Sequence, residues 1–232
     1  VAPNQLPTVR FTAADTAGKL WSIFRKLFHY FGPQHWWPAQ TPFEVIVGAI
    51  LTQNTVWQNV EKAITNLKKA NLLHPERLRL TLPQKLAQLI RPAGYYNIKA
   101  HRLLAVVKWL QDQGGLKRLS ALPTLTIRAQ LLKCYGVGAE TADSILLYAL
   151  NRPVFVIDAY TRRILSRYGL ITGDEPYEEL RHGVEQSLAR YLGNDPNSTI
   201  QVFNEFHALL VRLAKENCRK NPLCRNCPLD SR

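Results

Sequence analysis

Apolar residues recur every three to four positions over most of the chain, which is the signature of helices with one buried face. Between Asp15 and Phe31, the side chains of Leu20, Ile23, Phe24, Leu27, Phe28 and Phe31 fall on one such face, and Gly32-Pro33 supplies a stop. Thr41-Pro42-Phe43-Glu44 has an N-cap threonine, a proline in the first turn and a glutamate closing a capping box, so a helix is predicted through the apolar run VIVGAIL. Trp57, Val60, Ile64 and Leu67 predict the next helix. Short helices are predicted over 75–80 and 83–90, a longer one over 97–112 that stops at Gly114-Gly115, and another over 124–134. Thr141, Ala142, Ile145, Leu146 and Ala149 resume the period, and further helices are predicted over 158–168, 176–191 and 198–217. No convincing strand pattern interrupts the series. The chain therefore reads as all-α, with about ten helices preceded by an irregular arm over residues 1–14.

Composition narrows the partners. At 232 residues the chain can bury a full core as one large or two small domains. Thirty Lys and Arg against seventeen Asp and Glu leave a formal charge of +13, which favours a polyanion, nucleic acid before an acidic membrane. A merely solvated basic surface is the alternative. The longest apolar run, FEVIVGAIL at 43–51, is too short to span a bilayer, and the first residues lack an apolar signal core. A cytoplasmic, nucleoid-associated monomer without a membrane partner is expected. The chain contains no methionine, so its first residue is not expected to be the native start.

Two features twenty residues apart carry the candidate chemistry. Gly136-Val137-Gly138 separates two helical segments: the glycines permit a sharp turn, Val137 can tuck between the helices, and the following helix start offers unpaired amides to an anion such as DNA phosphate. The apolar stretch PVFVI then delivers Asp158 to the mouth of a helix carrying Arg162 and Arg163. Taken singly, the first is also a plain helical hairpin and the second a plain N-cap. In this order and spacing, with Leu132, Tyr135 and Thr141-Ala142, they resemble the helix-hairpin-helix DNA glycosylase superfamily to which endonuclease III belongs. The combination of WWP, the stretch from Phe43-Glu44 to LTQNT, PAGYYN and GVGAETAD over residues 35–215 is most similar to that superfamily's bacterial 3-methyladenine glycosylases.

The resemblance implies a fold and a set of roles. It implies two helical domains with a DNA-binding groove between them: a six-helix barrel over 42–152, and a second domain made from 1–41 and 153–232. Asp158 would be the catalytic carboxylate. Gln53, in the polar turn between two apolar helices, would enter the gap left by a flipped nucleotide, and Tyr95 would wedge into the duplex. Each also reads as ordinary turn chemistry, two tyrosines packing a turn in the second case. Gly136, Val137, Gly138, Thr141 and Arg162 would hold the DNA strand. Trp36, Trp37 and Pro38 would stack on the extrahelical base, or else anchor their loop to the core, and Glu140 would stand beside the base. Relatives that also cleave the abasic strand have a lysine where this chain has Glu140. A glutamate cannot form a Schiff base, so a monofunctional glycosylase is expected.

Cys218, Cys224 and Cys227 close the chain, with Cys134 far away before the hairpin. Clustered cysteines in a reducing compartment favour a metal over disulfides. Endonuclease III relatives carry a C-x6-C-x2-C-x5-C loop for a [4Fe-4S] cluster. Here the first gap is one residue shorter and the fourth position would fall just after Arg232. A cluster, zinc or three unused thiols all remain open. The leading function is a base-excision glycosylase acting on alkylated purines in double-stranded DNA. An enzyme for damaged or mismatched pyrimidines and a non-catalytic DNA-binding module are the alternatives.

Overall fold

A computed structural model describes residues 14–193 and 195–230; the irregular arm expected at the start of the chain lies outside them up to residue 13. The helices are α1 (Ala14–Phe31), α2 (Pro42–Leu51), α3 (Trp57–Lys69), α4 (Pro75–Arg79), α5 (Pro83–Leu89), α6 (Tyr96–Asp112), α7 (Gly115–Leu119), α8 (Thr124–Leu131), α9 (Ala139–Ser144), α10 (Ala159–Arg167), α11 (Tyr177–Leu192) and α12 (Pro196–Glu216). No strand occurs among the described residues. They form two compact units, one from Trp37–Arg152 and the other from the residues up to Trp36 together with those from Pro153 on.

The Trp37–Arg152 unit is built around α2. Every residue from Phe43 to Leu51 is buried, as an all-round apolar helix requires. Its start follows the sequence signal: Thr41 Oγ1 accepts the Glu44 amide at 3.1 Å, while the Glu44 carboxylate accepts the Gln40 amide at 3.1 Å. Around α2 pack α3, α6, α9 and the helical turn that extends α9. A buried ion pair ties α8 to α9, with Arg128 Nε 2.6 Å from Asp143 Oδ1 and Nη2 3.1 Å from Oδ2.

In the other unit α1 lies on α11 and α12, and α10 lies on α12. Its core is aromatic: Phe24 meets Phe206 edge-on at 5.6 Å between ring centroids, and Phe155 meets Phe203 in the same way at 5.5 Å.

Three local features depart from the expected pattern. Helix α8 ends at Leu131 rather than at 134, because Lys133 and Cys134 donate to Gln130 and Leu131 and tighten the chain into the hairpin turn. Gly114 and Gly115, both left-handed at φ 80° and 81°, stop α6 and also open α7, a helix too short to show a period. Finally, α9 continues as a π-helical turn over Ile145–Ala149, all of it buried, where the Leu150 amide reaches back to the Ile145 carbonyl at 3.1 Å.

Candidate functional site

The segment leading to Asp158 is extended, and its side chains Val154, Phe155, Val156 and Ile157 are buried. An extended stretch with no neighbouring strand must find other partners for its amides. Helix α11 supplies them: the Phe155 amide donates to Glu185 Oε1 at 2.9 Å, and the Ile157 amide to the Tyr177 hydroxyl at 3.4 Å. Glu185 is itself clasped by Arg181, whose Nη1 is 2.9 Å from both carboxylate oxygens. Asp158 is thereby delivered as the N-cap of α10, where its Oδ1 accepts the Thr161 amide at 2.7 Å.

The other oxygen of Asp158 faces His207, whose Nε2 lies 3.7 Å away; the two side chains keep only 14% and 7% of their exposure. Burial alone would raise the carboxyl's pKa, but the imidazole of His207 and the amide of Thr161 outweigh it and hold Asp158 below the usual carboxylate range. The group is thus a sequestered carboxylate that is ionised at neutral pH. That suits electrostatic stabilisation of a cation better than it suits proton abstraction. Arg162, on the same helix, donates to the carbonyls of Glu175 at 2.8 Å and Gly173 at 3.4 Å.

In the Trp37–Arg152 unit the hairpin joins α8 to α9. Gly136 is left-handed at φ 77°, Val137 is buried as the spacing predicts, and Gly138 precedes the first turn of α9, whose amides have no carbonyl within the helix. Gln53 sits on this hairpin: its Nε2 donates to the Gly136 carbonyl and to Thr141 Oγ1, both at 3.0 Å, while Arg102 Nη1 donates to its Oε1. A Cβ on Gly136 would collide with the Arg102 side chain, so this glycine makes room as well as a turn. Glu140 stands exposed in the first turn of α9. Tyr95 is 68% exposed and left-handed at φ 47°, an unfavourable backbone state for a tyrosine, held between Gly94 and the start of α6.

The WWP turn divides between the two units. Trp37 packs across α2 at Gly48, where a Cβ would come within 3.1 Å of the indole, and contacts Trp57 and Tyr148 at centroid distances of 5.4 and 5.3 Å. Tyr148 lies on the π turn. Trp36 has the Lys215 ammonium 5.9 Å over its ring, and Pro38 is exposed in the turn that the Ala39 amide closes onto the Trp37 carbonyl.

Lys99, Arg102, Tyr148 and His207 join these sites; Lys99 and Tyr148 fall within the motifs that carry the family resemblance, PAGYYNIKA and GVGAETADSILLY, but the sequence assigned none of the four a role. Two of them leave a trace. Lys99 is a lysine on the buried stripe of α6, with Ala100, Leu103, Val106 and Leu110, and His207 falls among Phe203, Phe206 and Leu210 on α12.

The cysteine loop is fastened by α10. Arg163 Nε donates to the Cys218 carbonyl at 2.8 Å, Arg167 Nη1 to that of Arg219 at 2.6 Å and to Cys218 Sγ at 3.3 Å, and the Tyr168 hydroxyl to the Leu229 carbonyl at 2.5 Å. Burial, and the neighbouring thiols of Cys218 and Cys224, push Cys227 above its ordinary range. The three thiols therefore share a neighbourhood. As they stand they do not make a ligand set: among the described residues no three His, Cys, Asp or Glu side chains are grouped to hold a metal ion. Burial pushes the Cys134 thiol up to about 11, which makes it an inert hairpin side chain.

No helix among the described residues is long and apolar enough to cross a membrane. Residues 47–190 match the model of the HhH-GPD superfamily of base excision DNA repair proteins. A Methanocaldococcus jannaschii protein provisionally named a DNA repair glycosylase is 47% identical over 213 residues, covering 90% of this chain and 93% of that one. Endonuclease III of Thermotoga maritima is 28% identical over 187 residues, or 80% of this chain and 79% of its own. Among solved structures, H. pylori 3-methyladenine DNA glycosylase bound to 1,N6-ethenoadenine superposes with a TM-score of 0.73 at 30% identity, over 88% of this chain and 97% of that one. A non-covalent endonuclease III–DNA complex superposes with a TM-score of 0.74 at 21% identity, covering 92% and 93%, and so shares the fold.

Proposed function

The chain belongs to the HhH-GPD superfamily of base excision DNA repair proteins and is a DNA repair glycosylase of that group, and from this premise we propose that it is monofunctional, acts on alkylated purines and uses Asp158 as its reacting carboxylate. In the proposed reaction the C1′–N bond of the damaged nucleoside breaks with its electron pair leaving on the base. Water adds to C1′, and the proton it gives up ends on the departing base or in solvent. Positive charge accumulates on the sugar before water adds, and an ionised carboxylate lowers the energy of that state. The observation that carries the reading is the environment of Asp158, buried yet held ionised by His207 and the Thr161 amide.

The loss of strand cleavage is proposed from Glu140, an acidic side chain in the first turn of α9 where a lyase needs an amine. The substrate class is supported by the H. pylori 3-methyladenine glycosylase, at 30% identity, and by the aromatic cluster that Trp37 forms with Trp57 and Tyr148. Alkylated purines are electron-poor and leave readily, so stacking and shape go far toward selecting them. The hairpin amides, Gln53 and Tyr95 are proposed as the DNA contacts. Cys218, Cys224 and Cys227 are proposed as ligands of a [4Fe-4S] cluster completed by a fourth ligand, and the loop would have to draw its thiols together to bind it.

The test is a panel of duplexes carrying single modified bases, with chromatography of the free base released and a parallel borohydride trap. Release of an alkylated purine, with no covalent adduct, is the expected result. Release of damaged pyrimidines instead would favour the endonuclease III-like reading, for which the cysteine spacing speaks. A covalent adduct would end the monofunctional reading, and no release from any duplex would leave a DNA-binding module.

A further inference from the structure

Lys99 is a fully buried cationic side chain, at 1% exposure, and nothing in the proposed reaction uses it. Long cationic side chains are seldom buried to this degree, and one that is must be compensated. The compensation is two backbone carbonyls: Nζ donates to Leu51 O at 2.9 Å and to Ala93 O at 2.8 Å. These two carbonyls come from segments 42 residues apart in the sequence, and each stands two residues before a residue proposed to enter the DNA, Gln53 after Leu51 and Tyr95 after Ala93.

Both segments leave regular helix geometry through a left-handed residue. Helix α2 ends at Leu51, and the turn that follows it passes through Asn54 at a left-handed φ of 52°. The turn before α6 places Gly94 and Tyr95 at φ 70° and 47° in succession. Asparagine adopts the left-handed region readily, but for Tyr95 it is an unfavourable backbone state that its surroundings must hold. Arg102, one turn along α6 from Lys99, holds the Gln53 side chain through its Oε1. One face of α6 thus holds the backbone of both segments and the side chain of one.

We propose that Lys99 is a positioning residue that sets the register between Gln53 and Tyr95 by bridging the carbonyls of Leu51 and Ala93. The proposal rests on the reading of Gln53 and Tyr95 as the inserted residues. Insertion is geometrically demanding, because two side chains must meet one opened base step, and misplacing either by a fraction of its length forfeits the stacking that offsets the opened pair.

The experiment uses the full chain with Lys99→Met, which keeps the length and removes the donor. The probe is a duplex in which a tetrahydrofuran abasic analogue faces 2-aminopurine, so that insertion is read from fluorescence without any bond being cut. Wild type is expected to change the emission on binding. The variant is expected to bind undamaged duplex as wild type does but to lose most of that change. On substrate, release of a paired damaged base relative to the same base in an unpaired bulge should fall roughly tenfold, because the bulge has already met the opening cost. A merely structural lysine would lower both rates by the same factor. Emission and rate ratio at wild-type values would overturn the proposal. If Lys99→Met does not fold, Lys99→Gln is measured with an intermediate loss expected, and failure of both to fold would make Lys99 a core residue only and also overturn it. If wild type gives no emission change, the insertion reading itself fails. Absence of base release by wild type bears on the function and not on Lys99.

Discussion

The side-chain amide of Gln53 donates at 3.0 Å to the carbonyl of Gly136, 83 residues further along the chain. The residue proposed to fill the opened base step therefore rests on the turn proposed to grip the phosphates. Arg102 completes the contact from the other side and occupies the space that a Gly136 side chain would need. Substitution Gly136→Ala meets two penalties together, a left-handed φ and a displaced Arg102. The backbone part alone costs roughly 1–2 kcal/mol. Thermal melts should show that loss, and fluorescence anisotropy should show weaker binding to undamaged duplex. Arg102→Ala, which removes the clash, should restore part of the stability to the double variant while removing the donor to Gln53 Oε1. Additive losses in the double variant would contradict the shared-space account.

Asp158→Asn keeps an N-cap side chain and removes the charge. Base release should fall by at least about a hundredfold, with binding to a lesion duplex nearly unchanged, since what is lost is electrostatic stabilisation of the sugar cation. Single-turnover release and anisotropy separate the two quantities. Turnover near wild type in the variant would remove Asp158 from the chemistry.

The same carboxylate gives a pH signature. Against burial, which would raise it, His207 and the Thr161 amide hold its folded pKa below the ordinary value of 3.8. A group with a depressed folded pKa contributes stability that is fully present above its unfolded pKa and lost as pH falls through the folded one. The contribution of the Asp158 charge to the stability difference between wild type and Asp158→Asn should thus be retained from neutral pH down to about pH 4 and be lost only in more acidic solution. Urea melts at a series of pH values measure it. A difference already shrinking near pH 6 would mean that Asp158 is not held ionised.

Much of this was legible in the sequence where local signals decide. The Thr41 cap, the proline at the first turn of α2, the Gly136-Val137-Gly138 turn and the delivery of Asp158 to a helix mouth each depend on neighbours within a few residues, and each is found. What sequence could not give depends on residues far apart. His207 is 49 positions from Asp158, and the Gln53 contacts to Gly136 and Thr141 span 83 and 88, distances no periodicity reports. The π turn that carries Tyr148 is equally silent, because one inserted residue in a wholly apolar run leaves the hydrophobic pattern intact.

Arg128 and Asp143 join α8 to α9 through a two-point ion pair in which the carboxylate is wholly buried. Removing one partner of such a pair strands the other charge in the interior, which costs about 3–5 kcal/mol. Arg128→Met should lower stability by that amount and loosen the hairpin. Replacing both residues, Arg128→Met with Asp143→Leu, should recover most of it, because the stranded charge is gone. Chemical denaturation of wild type and the two variants tests this, and equal loss in the single and double variants would show that packing rather than charge is at stake.

Lys99 supplies the opposite pH dependence. Burial first, and the Arg102 charge second, push its pKa from 10.5 down to about 8 in the folded protein. The folded state then disfavours the ammonium. Its penalty is present in full below about pH 8 and relieved as pH rises from there toward 10.5, because in that window the unfolded chain holds the extra proton. A neutral amine still has two N–H groups, enough for the carbonyls of Leu51 and Ala93, so relief of the charge does not break the bridge. Wild type should therefore gain stability relative to Lys99→Met as pH is raised through this window, by up to roughly 3 kcal/mol over its full width. The comparison with the variant cancels the titration of other lysines and tyrosines. Parallel stability curves for the two proteins between about pH 8 and 10 would show that Lys99 titrates alike in the folded and unfolded chains.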